Sequence, residues 1–309
     1  MAKYIAKRLA QLAPILFGLT FLVFALLSLS PGDPALKRLS LHGAGVSREE
    51  LELTRERMGL NRPFLVRYGL WLRDALRGDL GVSYRDGRPV APKLRGAAGC
   101  TAALASASLL LSLLISVPLG ILTAVKRGSV PDAAIRCAAF VGNAMPNFLI
   151  SVLLMYLLCI RVRLFPVIAR GSLQGLTLPV LAVAIPLSSR FVRQIRAEVL
   201  EQLSCGWVTG MRSRGVRERF ILFANVLHNA AGPILTIIGL SVGTLLGGSV
   251  VVESIFRWPG LGKLAMDAIR ARDYPVIQGF VLLTAVFYVG INLLTDIAYH
   301  LLDPRIGLD

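Results

Sequence analysis

The stretch LAQLAPILFGLTFLVFALLSLS, residues 9–30, contains no Asp, Glu, Lys or Arg. A helix of roughly 20 apolar residues can cross the hydrocarbon core of a bilayer, so this stretch predicts a transmembrane helix. Basic residues precede it, as they precede the apolar core of a secretory signal peptide. We nevertheless expect it to be retained. The run is longer than a signal core, and Pro31 follows Ser28-Leu29-Ser30, its only small-residue cleavage site.

Five more segments of the same kind follow along the chain. They are equally free of Asp, Glu, Lys and Arg, and they cover residues 96–125, 137–160, 171–189, 229–252 and 274–295. The sequence therefore predicts an all-α integral membrane protein with six transmembrane helices. The second segment is longer than a bilayer needs, so it either starts outside the hydrocarbon or tilts. The fourth contains Pro179 and Pro186, which kink a helix unless neighbouring elements bond the freed carbonyls.

The composition excludes most soluble proteins, because 55% of the residues are hydrophobic and only 17% are charged. A soluble domain carries roughly a quarter charged residues. The net charge of +16 would suggest a nucleic-acid partner in a polar chain. In this apolar chain it indicates basic loops on the cytoplasmic face of a membrane, so we expect membrane lipid and no nucleic acid as a partner.

The orientation follows from the Lys and Arg residues of the short loops. With the N-terminus inside, the inner segments carry 14 of them and the two short outer loops carry seven. The long outer segment is left out of this comparison, because a stretch of that length translocates largely regardless of charge. Both termini are therefore predicted to be cytoplasmic, in a multi-pass protein.

Three parts of the chain are distinguished on this basis. Residues 1–30 form the N-terminal tail and first transmembrane helix, residues 31–95 an outer helical segment, and residues 96–309 a five-helix core. In the outer segment, Ser47-Arg48-Glu49-Glu50 predicts a capping box that opens a helix closed by Gly59, and Pro63 can start a second helix that runs to Gly78. These helices either form a docking surface or plug the outer mouth.

The inner loop of the core, residues 190–228, is helical and polar in its pattern. Gly206 and Gly215 interrupt it and enclose a short helix. An apolar stripe of Trp207, Val208 and Met211 lies there among Arg212, Ser213 and Arg214. A short amphipathic helix of this kind suits insertion into the groove of a partner protein. The alternative is a helix that lies on anionic lipid headgroups.

The outer loop of the core, residues 253–273, begins a helix after Trp258-Pro259-Gly260 that runs from Leu261 to Arg272. Such a re-entrant or interfacial helix is a candidate outer gate, formed by Trp258, Pro259 and Asp273. Simple anchoring in the membrane interface is the equal alternative.

Gly239, Gly243 and Gly247 recur at four-residue spacing in the fifth apolar segment. Small residues on one helix face let another helix approach closely. The stripe therefore predicts packing within this chain or, as the alternative, a face that lines a pathway.

No catalytic residue, metal site or cofactor is predicted in this chain. Its four cysteines form no C-x-x-C pair, its three histidines lie far apart, and no G-x-x-x-x-G-K-[ST] phosphate loop is present. The six segments contain no Asp, Glu or His, which argues against a membrane-embedded enzyme. Asp296 is a carboxylate near an inner helix end with His300 one turn on, and it is either functional or an interfacial group that pairs with Arg305.

A series of short motifs runs the length of the chain. They are Pro31-Gly32-Asp33-Pro34, Met58-Gly59-Leu60, Gly78-Asp79-Leu80-Gly81-Val82-Ser83, Arg212-Ser213-Arg214-Gly215, His228-Asn229-Ala230 with Pro233, the tail from Glu253 to Gly262, Arg272 to Gly279, and Asp303-Pro304-Arg305. In order and spacing the chain resembles the permease subunits of binding-protein-dependent ABC importers, in particular the dipeptide, oligopeptide and nickel group. The resemblance covers nearly the whole chain.

The resemblance implies the type I ABC importer permease fold in a bacterial inner membrane. It also implies that the inner loop carries a coupling helix that sits in a cleft of an ATPase subunit. Gly215 matches the loop glycine of the family, whereas Thr209, Gly210 and Met211 stand where the general permease pattern has Glu-Ala-Ala. The acidic anchor of that pattern is missing here.

The resemblance further implies the partners and the mechanism. The partners are a second homologous permease subunit, two ATPase subunits or two copies of one, and an extracytoplasmic substrate-binding protein. ATP and Mg would bind to the ATPase subunits, and their closure would drive alternating access of the heterodimeric permease.

The cargo is the least determined feature. Residues 32–41 and their spacing to Arg88-Pro89-Val90 look most like the nickel and metal-chelate permeases. A chelated metal that passes through weak contacts is expected, because no segment holds a His/Cys pair. The alternative cargo is a di- or oligopeptide. A secondary transporter driven by an ion gradient is a remote alternative, since no internal repeat and no charge at a span centre is found.

Overall fold

The computed structural model describes residues 2–40, 47–167 and 172–302, and that part of the chain is mainly helical, without a strand. Its α-helices are α1 Ala2–Leu29, α2 Pro34–Ser40, α3 Arg48–Arg57, α4 Phe64–Leu76, α5 Val90–Val125, α6 Val130–Ala144, α7 Asn147–Leu154, α8 Leu173–Ser204, α9 Gly206–Ser213, α10 Glu218–Phe220, α11 Leu227–Phe256, α12 Leu261–Ala271 and α13 Tyr274–Leu302. Two π-helical stretches, Met155–Arg161 and Ile221–Val226, continue α7 and lead into α11.

Five stretches of helix in the described residues are long and apolar enough to cross a membrane. They are Ala10–Leu29, Val90–Val125, Gln174–Ser204, Glu218–Gly243 and Tyr274–Leu294. A sixth candidate is the bent pair Val130–Ala144 and Asn147–Arg161. Counted as one span, this pair completes the six transmembrane segments that the sequence predicts.

The third predicted segment, residues 137–160, is not one continuous helix. The chain turns by 101° between α6 and α7. Met145 leaves the helix with a ψ of 126°, and Pro146 is likewise extended at the start of α7. The cause is local, because the ring of a proline disfavours the helical conformation of the residue before it. The predicted span therefore begins within α6 and continues, after the bend, through α7 and the π-helical stretch Met155–Arg161.

The fourth predicted segment is part of α8, which continues as one helix through Pro179 and Pro186 to Ser204. Two-thirds of its most apolar stretch is buried within this chain, the largest share among the five unbroken candidate spans. It packs against α6, α7 and α11. Contact on several sides explains how a helix with two prolines remains continuous, since neighbouring elements support it there.

The chain divides into two compact units. One comprises Met1–Thr101 with Pro259–Gly290, and the other comprises Ala102–Trp258 with Ile291–Asp309. These units differ from the three predicted parts of the chain, which are separated after residue 30 and after residue 95. The predicted parts follow the membrane boundary and stay a prediction.

In the first unit, α4 packs along α1 through aromatic side chains. The ring of Tyr68 lies 5.3 Å from that of Phe21 and 5.4 Å from that of Phe24, in edge-to-face geometry. The Tyr68 hydroxyl is hydrogen-bonded to the Thr20 hydroxyl at 3.1 Å. Aromatic contacts of this type add stability beyond the burial of their area.

The two helices predicted within residues 31–95 are present, whereas their location outside the membrane stays a prediction. Ser47 and Glu50 form the capping box of α3, and Gly59 follows its end with a φ of +67°. Pro63 directly precedes α4, and Gly78, with a φ of +84°, follows its last turn. A second core of this unit gathers buried side chains from α5, α12 and α13, among them Leu94, Leu261 and Ile277.

Candidate functional site

The predicted coupling loop is built from short, sharply separated helices. Cys205 is extended, with a ψ of 142°, and separates α8 from α9. At the other end of α9, the N–H of Gly215 donates to the carbonyl of Arg212 at 2.9 Å and that of Val216 to the carbonyl of Met211 at 3.1 Å. This pair of hydrogen bonds is the Schellman helix ending, which needs a left-handed residue. Gly215 supplies it with a φ of +75°.

The two faces of α9 differ in what they offer to another molecule. Val208 is fully buried, with 0% of its surface exposed, and Trp207 and Met211 are half-buried. Arg212, Ser213, Arg214 and Gly215 are exposed. Because α9 packs against α8, its apolar stripe holds the helix on its own chain. The surface that remains open to a partner is polar and basic.

An ion pair joins α9 to the start of α10. Arg212 donates from Nε to Oε1 of Glu218 at 2.6 Å and from Nη2 to Oε2 at 3.1 Å. The hydrogen bond to Glu218 raises the pKa of Arg212. Both side chains are exposed, so the pair contributes more to the shape of the loop than to the stability of the fold.

In the first unit, Asp273 of the predicted outer gate connects the α12–α13 corner to the outer segment. Its carboxylate accepts a hydrogen bond from the Ser83 hydroxyl and one of 2.8 Å from the backbone N–H of Tyr84. Asp273 is buried, and burial raises the pKa of the Tyr84 phenol. The two motifs lie 190 residues apart, and no local pattern in either of them predicts this contact.

The other two residues of the predicted gate, Trp258 and Pro259, stand at the start of the same loop. Pro259 is exposed and precedes α12, whose first N–H, that of Leu261, donates to the Thr101 hydroxyl at 2.8 Å. Trp258 belongs to the second unit, where it is buried and its N–H donates to the carbonyl of Glu253 at 2.9 Å. The helix predicted from Leu261 is present and ends at Ala271. The gating role of these residues stays a prediction.

A second corner of the first unit joins the Pro31–Pro34 motif to two arginines. Arg55 donates to Asp33 at 2.6 Å, and the Asp33 carboxylate also accepts from the N–H of Ala35 at 2.8 Å. The guanidinium of Arg272 packs on Gly32 so closely that a Cβ there would lie 2.5 Å from Nη1. Gly32 has a φ of +105°, a conformation that favours glycine, and any side chain there would also have to displace the Arg272 guanidinium.

A hairpin-like loop lies next to this region. A single antiparallel bridge pairs Val82 with Pro89, and Lys93 donates to Asp86 at 2.7 Å. Burial disfavours the charge of Asp86, but the hydrogen bonds from Lys93, Arg88 and Ser83 outweigh it and lower the pKa of Asp86 to about 2.

The three glycines of the predicted stripe on α11 differ in their exposure. Gly239 and Gly243 are buried in the second unit, where α11 packs against α7 and α8. Gly247 is exposed, and no atom lies within 4 Å of the position of a Cβ. The first two glycines therefore favour the packing alternative, whereas Gly247 faces open space in this chain.

Two buried carboxylates were missed because the helices extend beyond the predicted spans. Helix α11 continues past Val252 to Phe256 and includes Glu253, which is 0% exposed and accepts a hydrogen bond from Ser249 at 3.2 Å. Helix α6 begins before the predicted residue 137 and buries Asp132 in its first turn. Ser129-Val130-Pro131-Asp132 has the spacing of a helix N-cap motif, so Asp132 could have been found from sequence.

Some predictions lie outside the described residues. These concern His42, Arg305 and the motif Asp303-Pro304-Arg305, together with the side chains of Asp296 and His300. Across residues 2–40, 47–167 and 172–302, no group of three or more His, Cys, Asp or Glu residues is placed to hold a metal ion.

Comparison with known proteins agrees with this architecture. Residues 116–308 match the family described as the inner membrane component of binding-protein-dependent transport systems. Residues 1–105 match the N-terminal part described for the same membrane components. The chain belongs to this family of transport-system permeases. The resemblance seen in the sequence and the type I ABC importer permease fold are thereby confirmed, and the chain is a non-catalytic pore component of an ABC importer.

Two relatives are similar over almost their full lengths. The nickel import system permease protein NikB of Staphylococcus aureus is 37% identical over 303 residues, which are 98% of this permease and 91% of that protein. A Brucella ovis protein named "Putative peptide permease protein" is 35% identical over 319 residues, 99% of each chain. The two names differ in cargo, so the family is shown and the choice between nickel and peptide is not.

A solved structure supports the fold. The inward-facing MetNI methionine ABC transporter contains a chain that superimposes with a TM-score of 0.58 and 17% identity, over 68% of this permease and 95% of that chain. Family and apolar helices together make this permease a multi-pass inner membrane protein that works with an ATPase and a substrate-binding protein.

Proposed function

We propose that this permease moves nickel, as the ion or as a metal chelate, across the inner membrane in an ATP-driven importer. The observation that carries the ATP-driven part of the proposal is α9, a short helix with a polar, basic exposed face that its own chain holds in place at Val208. A helix anchored in this way can transmit a push from a partner into α8, because it cannot slide independently of the chain.

The proposed coupling uses the exposed residues at the end of α9. Arg212, Ser213, Arg214 and Gly215 contact a cleft in the ATPase subunit, while Trp207 and Met211 fill the edge of the contact. ATP binding closes two ATPase subunits, and the movement passes through α9 into the membrane helices, which then accept cargo from the binding protein. ATP hydrolysis resets the inward-facing state. ATP and Mg bind to the ATPase subunits and not to this chain.

The proposed assembly contains a second, homologous permease subunit beside this one and two ATPase subunits or two copies of one. Both termini of this chain are cytoplasmic in the proposal, so α9 faces the ATPase and α3, α4 and α12 face the binding protein. The excess of Lys and Arg in the inner segments supports this orientation.

Nickel is the favoured cargo because the NikB relative carries that name and because residues 32–41 look most like the nickel and metal-chelate permeases. A di- or oligopeptide is the second candidate, and the Brucella ovis relative favours it. In either case we expect weak contacts along the path, since a transport pathway must release its cargo.

Uptake in vesicles tests both the energy source and the cargo. Inside-out membrane vesicles cannot present the binding protein, so the complex purified with its partners is placed in proteoliposomes, with binding protein outside and ATP inside. We expect radioactive nickel to accumulate only with ATP, and competing di- and tripeptides to leave its uptake unchanged. Inhibition by peptides, with peptide accumulation, would replace the nickel assignment by the peptide one. Uptake without ATP that collapses with the ion gradient would replace the importer by a secondary transporter.

Co-purification tests the partners separately. The tagged permease is extracted gently from native membranes and everything bound to it is identified by mass spectrometry. We expect a second permease and at least one ATPase. Recovery of two copies of this chain without a second permease would overturn the heterodimer.

A further inference from the structure

A basic cavity of about 450 Å³ lies in the first unit, between α1, the α3–α4 turn, α4 and the start of α13. Four arginines line it, Arg38, Arg57, Arg62 and Arg67, against one carboxylate, that of Asp74. Asp74 already pairs with Arg73 at 2.8 Å. Arg57, Arg62 and Arg67 form no ion pair within the described part of the chain, and Arg67 lies over the ring of Phe24 at 5.6 Å. The cavity therefore carries an uncompensated positive charge.

An apolar groove of about 750 Å³ adjoins it along the same helices. It is lined mainly by hydrocarbon side chains of α1, α4 and α13, such as Phe17, Leu72 and Leu282. Its hydroxyl group, on Thr20, already donates to the carbonyl of Leu16 at 2.7 Å. The groove thus offers a ligand hydrophobic contact and little else.

Trp71 lines both the basic cavity and the apolar groove. Tryptophan is enriched where hydrocarbon meets the polar headgroup region of a membrane. It marks the point where the lining changes from basic to apolar, and a phospholipid changes in the same order from headgroup to acyl chain. The groove also runs along helices α1 and α13, both of which contain candidate membrane spans.

We propose that the cavity and the groove together bind one phospholipid with an anionic headgroup. The phosphate lies among Arg57, Arg62 and Arg67, and an acyl chain lies in the groove along Trp71. Guanidinium groups bind phosphate oxygens through paired, charge-assisted hydrogen bonds, which suits this cluster. A carboxylate of a docked protein would satisfy the arginines but leave the groove empty. An apolar helix would fill the groove but leave the arginines unpaired.

The proposed lipid ties α4 to α1 and α13. It therefore holds the outer segment in a fixed relation to the helices of its own unit. The inference goes beyond the transport function and does not depend on the cargo or on the coupling helix.

Native mass spectrometry of the detergent-extracted permease, with the partners it retains, tests the headgroup site. Long-chain phosphatidylglycerol and phosphatidylcholine are titrated against the wild type and against R57Q/R62Q/R67Q. We expect the wild type to bind phosphatidylglycerol in preference to phosphatidylcholine. We expect the triple variant to bind phosphatidylglycerol roughly tenfold more weakly than the wild type does, because charge-assisted hydrogen bonds are lost. The matched control is R48Q/R77Q/R85Q, which removes the same charge from exposed positions of the outer segment that do not line the cavity.

A second variant tests the acyl-chain groove. Ala75→Trp fills the groove, and Ala103→Trp places the same side chain at an exposed position on α5. We expect A75W to weaken binding of long-chain phosphatidylglycerol while short-chain dihexanoyl phosphatidylglycerol still binds, which also shows that the variant is folded. A103W should bind both lipids as the wild type does.

Three results would overturn the proposal. Equal binding of the two headgroups would remove the role of the arginines. Displacement of long-chain phosphatidylglycerol by millimolar inorganic phosphate, with A75W unaffected, would indicate a free-anion site. A polypeptide helix seen in the groove in a structure of the whole importer would show that a protein partner, and not a lipid, occupies it.

Discussion

Arg196 holds Asp132 with two hydrogen bonds, from Nε to Oδ1 at 3.1 Å and from Nη2 to Oδ2 at 3.2 Å, although 64 residues separate them. The side chain of Asp132 is 1% exposed and that of Arg196 is 19% exposed. The N–H of Gly128 also donates to this carboxylate at 3.0 Å, and Arg136 forms an ion pair with it, with Nε 3.0 Å from Oδ1. The pair joins the first turn of α6 to α8 two turns before α8 leads into the coupling helix.

Breaking this pair is expected to destabilise the permease. Asp132→Ala leaves Arg196 without its buried partner, and removing one member of such a pair costs more than removing both. We expect the melting temperature of the detergent-purified protein to fall by roughly 5 °C or more. The double variant D132L/R196M should melt above D132A.

Glu52→Ala is the matched control, because Glu52 is a carboxylate in a far more exposed ion pair with Arg55. Exposed pairs contribute little to stability, so its melting temperature should stay close to that of the wild type. An equal loss in D132A and E52A would show that the buried position of Asp132 has no special weight.

The second prediction concerns Gly215, the left-handed end of α9. Alanine at a φ of +75° costs about 1–2 kcal/mol, and proline can adopt neither this angle nor donate the N–H that bonds to Arg212. We expect reduced transport for Gly215→Ala and none for Gly215→Pro, with normal membrane insertion of both, measured by uptake and by quantitative blotting of membranes.

Gly87→Ala provides the control for backbone strain alone. Gly87 has a similar φ of +69° and open space around it, but it lies in the outer segment. If G87A reduced uptake as much as G215A, strain rather than coupling would explain the loss.

The third prediction uses the ion pair between Arg212 and Glu218. Arg212→Glu faces a like charge and opens the joint between α9 and α10, so we expect ATP-driven transport to be lost. The swap R212E/E218R restores opposite charges at the same two positions. Uptake near the wild-type level in the swap would assign Arg212 to the shape of the loop. Loss in both variants would assign its charge to direct contact with the ATPase.

The fourth prediction concerns Asp273 at the outer corner. Asp273→Ala leaves the N–H of Tyr84 and the hydroxyl of Ser83 without their acceptor, and a buried donor left unpaired costs about 1–3 kcal/mol. We expect a loss of that size in SDS-induced unfolding. Ser83→Ala in the D273A background should add little, since the partner of the hydroxyl is already gone. Additive losses would show that the two residues act independently.

Local sequence patterns were sufficient to predict which helices are apolar enough to cross a membrane and where several of the short helices begin and end. A charge-free run of about 20 residues needs no tertiary information to be assigned to a membrane. The capping box at Ser47 and the glycine at Gly215 act through hydrogen bonds to backbone within a few residues, and the structure has both as predicted. The bend at Pro146 has an equally local cause, because a proline disfavours the helical conformation of the residue before it.

The amino-acid sequence by itself thus determined that this protein is an all-helical membrane permease, since both hydropathy and family motifs are read along the chain. Only the tertiary structure decided that Val208 faces inward on α9, that Asp132 meets Arg196, and that Asp273 meets Ser83. These contacts join residues far apart in sequence. Their partners are selected by how helices pack, and a side chain carries no local signal of which distant helix will bury it.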